Sequence, residues 1–176
     1  MSSLPVTNNQ NNQQEPDYQR YNLFTDGGCK KPGQVGGWAY ILRNMKTLES
    51  TVGFGSVAST TNNQMELCAV LEGLVRVPDN SKVLLVSDSE YVVKGINAWL
   101  PRWEQSQWRK SGSSKEIENV GLWQELNRQL KRLKSCEAVN VPGHSGHLEN
   151  ELCDRFASQA MEMYDAATPA STEVSE

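Results

Sequence analysis

No apolar run in this chain of 176 residues approaches the length needed to span a bilayer, so a transmembrane helix is not expected. Its start has neither a basic stretch nor an apolar one, which argues against a secretory signal peptide. The four cysteines, Cys29, Cys68, Cys136 and Cys153, lie far apart and form no C-x-x-C pair. With no export signal, reduced thiols in a cytoplasmic protein are the expectation. Histidine is scarcer still, His144 and His147 being the only two. Each follows a glycine and no third soft ligand sits near them in sequence, so a zinc cage is disfavoured. No Ser-His or Cys-His constellation stands out, which removes the usual covalent nucleophiles.

The organisation is simple. Residues 1–17 are rich in Asn and Gln and nearly devoid of apolar side chains, too few to offset ordering entropy, and read as a disordered leader. Residues 166–176 are small, polar and acidic and read as a disordered tail. Between them, 18–165 suffices for one well-cored domain. The formal net charge of −4 by itself argues against a polyanionic partner. Its distribution argues otherwise: from Trp99 to Lys134 eight basic residues face four acidic ones. That asymmetry looks like a basic arm, centred on about 99–115, on an acidic body.

Local patterns give an order of elements. Tyr21–Thr25 reads as a strand running into a turn at Asp26-Gly27-Gly28. Gly36–Arg43 and Leu48–Val57 read as two more strands, completing an antiparallel meander. Thr61 followed by Gln64 has capping-box spacing and opens a helix striped by Leu67, Leu71, Leu74 and Val75. Lys82–Asp88 is a continuous apolar run closed by an acid, as expected of a strand buried on both faces. A helix follows from Ser89 to Leu100, then the arm. Trp123, Leu126, Leu130 and Leu133 stripe another helix, EAVNV is a last strand, and Leu152, Phe156, Ala160 and Met163 stripe a final helix. The fold class is α/β: a mixed five-stranded sheet, three antiparallel strands then parallel βα units, with helices on both faces and a helical basic arm.

Four acids fall at element boundaries rather than on solvated faces: Asp26, Glu66, Asp88 and Asp154. Asp26 and Asp88 would lie outside the carboxyl ends of their strands, where open α/β sheets gather ligands. Carboxylates forced together repel and resist desolvation, so their convergence implies a cation. Oxygen-only donors favour magnesium, with manganese as a substitute.

The segments FTDGGC (24–29), TTNNQMEL (60–67), SDSEY (87–91) and GHSGHLENELCD (143–154) together resemble type 1 ribonuclease H, bacterial branch. The resemblance covers about residues 20–165, and its second and fourth motifs are highly specific. It implies the ribonuclease H-like fold and hydrolysis of the RNA strand of an RNA–DNA hybrid. It further implies that Asp26, Glu66, Asp88 and Asp154 hold two magnesium ions, which activate water and stabilise the departing 3′ oxygen, leaving 5′-phosphate and 3′-hydroxyl ends. His144 falls on the family's catalytic-loop histidine, suited to relaying a proton or helping product leave. Asn62 and Asn63 fall on minor-groove contacts, Thr61 on a phosphate contact of the DNA strand, and Trp99 and Trp103 on the aromatics flanking the DNA channel. Trp108 and Trp123 are read as packing, and His147 as structural. No membrane association and a monomeric state are expected.

Three departures stand out. Glu90 occupies the family's usual Gln position, exchanging an amide donor for a negative charge beside the metals. Lys30-Lys31-Pro32-Gly33 replaces a common Gly-Asn-Pro-Gly. The stretch Glu104–Gln107 lies on ground that is often densely basic, so looser hybrid binding is expected. Two other readings stay open: a non-catalytic hybrid-binding module, and another nuclease of the same superfamily.

Overall fold

The structure is a computed structural model that describes residues 18–143 and 146–168. The expectations placed on the leader, on the tail beyond 168 and on His144 lie outside the described residues. Five strands form one sheet: β1 (Arg20–Cys29), β2 (Gly36–Asn44), β3 (Ser50–Val57), β4 (Lys82–Ser87) and β5 (Ser135–Asn140), in the order β3-β2-β1-β4-β5. β1 pairs antiparallel with β2 and β2 with β3, whereas β4 runs parallel to both β1 and β5. The helices are α1 (Asn62–Leu74), α2 (Glu90–Lys94), α3 (Leu100–Gln105), α4 (Val120–Lys131) and α5 (Leu148–Ala167). A π-helical turn, Gly95–Trp99, joins α2 to α3. No described helix is long and apolar enough to cross a membrane.

The pleat explains the layers. Side chains alternate across a strand, so Leu23, Tyr40, Leu42, Val83 and Leu85 meet Leu67, Val70 and Leu74 of α1 and Trp123 and Leu126 of α4 in one core. Phe24, Ala39, Ile41 and Val86 face the other way, onto Cys153 and Ala157 of α5. Two apolar layers therefore enclose the sheet, one burying α1 and α4, the other α5.

Several elements differ from the sequence reading, each for a local reason. β1 does not turn at Asp26-Gly27-Gly28 but pairs on through Cys29, because Gly27 and Gly28 sit opposite Trp38 and Gly37 in β2. Glycines that signal a turn in a lone segment are held extended here by their partner strand. In α5 the buried positions are Asn150, Cys153, Ala157 and Ala160, while Leu152 and Phe156 are half-buried and Met163 is exposed. The helix rests so close to β2 that a Cβ at Gly37 would lie 2.0 Å from the Ala157 carbonyl oxygen, so small residues occupy the contact. α5 also continues through Ala167, past the boundary expected at 165.

α1 starts as expected. The Thr61 hydroxyl accepts from the Gln64 backbone N–H at 3.4 Å, and the Gln64 side chain accepts from the Thr61 N–H at 3.1 Å. This reciprocal cap satisfies two backbone donors that a helix start leaves open.

Candidate active site

The parallel ladder between β1 and β4 ends at the pair Thr25–Ser87. Asp26 and Asp88 are the residues that follow this pair, the first still on β1 and the second just past β4, so the register itself sets two carboxylates side by side at the carboxyl end of the ladder. Glu66 comes from α1, on the other layer, and reaches them because Gly27 lets the helix start lie against the strand. A Cβ at Gly27 would fall 2.4 Å from the Met65 carbonyl carbon and 2.6 Å from the Glu66 nitrogen. One carboxylate oxygen each of Asp26, Glu66 and Asp88 lie within 4.8 Å of one another, close enough to share a metal ion. Asp154, the seventh residue of α5, joins them from the opposite layer: it lines a cleft of about 230 Å³ with Asp26, Gly27, Gly28, Asp88 and Asn150. The sequence placed Asp154 one turn into this helix, and it stands nearly two turns in.

Electrostatics mark the cluster as strained without a cation. Burial, then the charges of Asp26 and Asp88, push the Glu66 carboxyl well above its ordinary value of 4.5. Glu66 Oε2 and Asp88 Oδ1 are buried and meet no hydrogen-bond donor. Orphaned buried acceptors are costly in a folded protein. A divalent ion would satisfy both and cancel the repulsion, and an all-oxygen donor set suits magnesium or manganese. The residues present therefore fit such an ion.

The segment leading to His144 starts over this cluster. The Val141 N–H donates to the Ser87 carbonyl at 3.1 Å, continuing the β5 ladder, and a Cβ at Gly143 would come 2.9 Å from Asp88 Oδ2. On the far side of the gap, Gly146 N–H donates to Glu151 Oε1 at 3.0 Å. His147 is half-buried; its ring lies 5.5 Å from that of Phe24 and its Nδ1 is 3.7 Å from Glu149, which also pairs with Arg43 at 2.9 Å. His147 thus anchors the start of α5.

Beside the carboxylates, Asn62 Oδ1 accepts from the Cys29 backbone N–H at 2.8 Å and from its thiol at 3.2 Å, tying the α1 start to the end of β1. Asn62 is exposed, while Thr61 and Asn63 are half-buried. Lys30, in the loop after β1, turns to Asp165 at 2.5 Å and fastens that loop to α5. Glu90 does not point its charge at the cluster. It is exposed and pairs with Lys94 at 2.5 Å, a hydrogen bond that lowers its carboxyl below the ordinary value.

Trp99 and Trp103 belong to a continuous aromatic stack. Trp99 lies 5.4 Å from Trp103, Trp103 lies 5.1 Å from Trp123, and Tyr91 touches both Trp99 and Trp123 at ring distances of 6.0 and 5.3 Å. Trp123 is fully buried and its indole N–H donates to the Tyr91 hydroxyl at 2.7 Å, so its packing role is plain. Trp108 also packs against the core. Trp99 and Trp103 are half-buried and, with Arg102, Ser106, Arg109 and Ser111, line a second hollow of about 370 Å³.

The arm's charge is partly spent internally. Lys110 pairs with Glu118 at 3.1 Å, Arg128 with Glu125 at 2.5 Å, and Lys131 with Glu104. Arg132 clasps Asp79 and the carbonyls of Leu74 and Val77. Among the described residues, Arg102, Arg109, Lys115 and Lys134 have no acidic partner.

The sequence takes Gly27 for a turn residue and Gly143 for a source of freedom in the histidine loop, not for close approaches at the acids, and gives Asn150 no role. Only Asn150 had a usable signal: it lies four residues before Asp154, hence on the same helix face.

Comparisons with known proteins bear on the family. The RNase H family model matches residues 18–162. A ribonuclease H of Rhodopirellula baltica is 41% identical over 152 residues, covering 85% of this chain and 96% of that protein. A ribonuclease H of Hydrogenovibrio crunogenus is 42% identical over 144 residues, covering 82% and 97%. Among solved structures, LC9-RNase H1, described as a type 1 RNase H with the type 2 active-site motif, superposes with a TM-score of 0.73 at 28% identity, covering 85% of this chain and 75% of that one. With a family match over most of its length and relatives near two-fifths identity, the chain belongs to the ribonuclease H family.

Proposed function

We propose that this protein is an endoribonuclease that hydrolyses the RNA strand of RNA–DNA hybrids, with Asp26, Glu66, Asp88 and Asp154 holding two divalent ions, magnesium or manganese. The observation that carries the reading is that Asp26 and Asp88 meet Glu66 within reach of a shared ion and share a cleft with Asp154 of the opposite layer. When bound, the ions would supply an activated water and stabilise charge on the departing 3′ oxygen, giving 5′-phosphate and 3′-hydroxyl products.

The chain's own groups divide the rest of the work. The carboxylates repel an approaching phosphate unless a cation sits between them, so cleavage requires a divalent ion. Thr61 uses its hydroxyl oxygen as acceptor for the α1 cap, which leaves the O–H to donate to a phosphate of the DNA strand. Asn62 spends its carbonyl on Cys29 and so presents its amide N–H groups outward. With Asn63, it reads acceptors in the shallow minor groove, where the 2′-hydroxyls lie. Glu90, held by Lys94, offers no amide donor there, so hydrogen bonding to the RNA minor groove is weaker than a glutamine would give. Trp99 and Trp103, with Arg102 and Arg109, receive the DNA strand. His144 relays a proton or assists product departure.

The non-catalytic reading fares worse, since a binder gains nothing from buried, mutually repelling carboxylates. The test is cleavage of an end-labelled RNA–DNA hybrid, duplex DNA and duplex RNA, each with magnesium and with EDTA. The reading expects RNA cuts in the hybrid alone and only with magnesium. Cleavage of duplex DNA, or hybrid cleavage that survives EDTA, contradicts it.

A further inference from the structure

Asn150 sits four residues before Asp154 on α5, so both side chains project from one face, and both line the carboxylate cleft. It is 3% exposed, and its side-chain carbonyl oxygen meets no hydrogen-bond donor. The rest of the buried face of α5, Cys153, Ala157 and Ala160, is small and carries no amide or charge. A buried acceptor left unpaired costs roughly 1–3 kcal/mol. Packing alone would be served better by an apolar residue.

The same condition recurs at Glu66 Oε2 and Asp88 Oδ1, two other buried acceptors of this site without a donor. Three starved oxygens around a region of concentrated negative charge call for a cation, not for another acceptor. We propose that Asn150 is an uncharged fifth oxygen ligand of the centre, its carbonyl meeting a divalent ion held by Asp26 and Asp154, directly or through one water. This rests on the metal reading given under Proposed function. An amide suits the position physically: it adds an oxygen to a hard cation's shell without a fifth negative charge to increase the repulsion.

The experiment titrates manganese alone into the full chain, reading free manganese by electron paramagnetic resonance, beside melting curves in EDTA. Wild type, Asn150→Leu, Asn150→Asp and Asp26→Asn are compared. Asn150→Leu is expected to weaken manganese binding on the order of tenfold, as loss of a supporting ligand does. It should leave the metal-free melting temperature unchanged or raised, because the orphaned acceptor is gone. Asn150→Asp should tighten manganese binding and lower the metal-free melting temperature at neutral pH. The proposal is overturned if Asn150→Leu melts lower in EDTA while its manganese affinity stays at the wild-type value, for then the amide only supports the fold. It is also overturned if Asn150→Asp binds manganese no tighter than wild type. Should Asp26→Asn leave manganese binding intact, the metal reading itself fails; loss in Asp26→Asn with no change in Asn150→Leu removes this inference alone.

Discussion

Replacing Glu66 with glutamine should make the metal-free protein more stable, by an amount that grows with pH. The carboxyl of Glu66 titrates well above 4.5 because it is buried and faces Asp26 and Asp88. The folded state therefore holds this proton over a range where the unfolded chain has released it. Stability then falls as pH rises from about 4.5 through the raised value, since the unfolded state binds fewer protons there. At the 4.8 Å that bounds the three oxygens, one pair of unit charges repels by about 3.5 kcal/mol at an effective dielectric constant of about 20. Keeping the proton sets a ceiling on that cost, about 1.4 kcal/mol for each pH unit above 4.5, hence about 3.4 kcal/mol at pH 7. An amide at this position removes the term and can donate to the aspartates. The expected gain at pH 7 is about 1–3 kcal/mol, or roughly 3–10 °C in melting temperature for a domain of this size. Calorimetry in EDTA between pH 4 and 8 reads it directly. The gain should vanish near pH 4, and magnesium should stabilise wild type much more than Glu66→Gln. A pH-independent gain, or a loss at pH 7, would refute the reasoning.

Other sites give independent checks. Gly27→Ala places a methyl group against the Met65–Glu66 backbone and should cost about 1–3 kcal/mol of stability in urea unfolding while weakening manganese binding, since α1 must shift away from β1. Tyr91→Phe strands the buried Trp123 N–H and should cost about 1–3 kcal/mol by the same measurement, with little change in metal affinity. Glu118→Gln releases Lys110, which lines a further hollow with Tyr91, Trp103 and Ile117; hybrid binding followed by fluorescence anisotropy should tighten at low salt, with a salt slope steeper by about one unit, and stability should hardly move.

Much of this arrangement was legible in the chain. The capping box at Thr61 and Gln64 fixed where α1 begins, and with it the place of Glu66 one turn in. The apolar run ending at Asp88 marked a buried strand, and a parallel neighbour ending at Thr25 necessarily brings Asp26 alongside. What failed were properties that depend on a partner elsewhere in the fold. The glycine pair after Asp26 is extended because β2 holds it, which no local turn signal reveals. Large residues on α5 suggested its buried face, yet a helix lying this near a sheet buries its small residues, Cys153 and Ala157. The pairing of Glu90 with Lys94, one turn on, was likewise not read from the sequence. The ion pairs that use up the arm's charge join residues up to 53 positions apart, so a count of charges overstated the basic surface.

The proposed hydrolysis requires the four carboxylates to form a divalent-ion centre. Anomalous diffraction from manganese-soaked crystals of Asp88→Asn bound to a hybrid would locate the ions directly. Two peaks are predicted in the cleft, one touching Asp26 and Glu66, the other touching Asp26 and Asp154, with the RNA strand above them. A cleft free of anomalous signal in manganese-soaked crystals of both wild type and Asp88→Asn, with hybrid bound elsewhere on the protein, would contradict it.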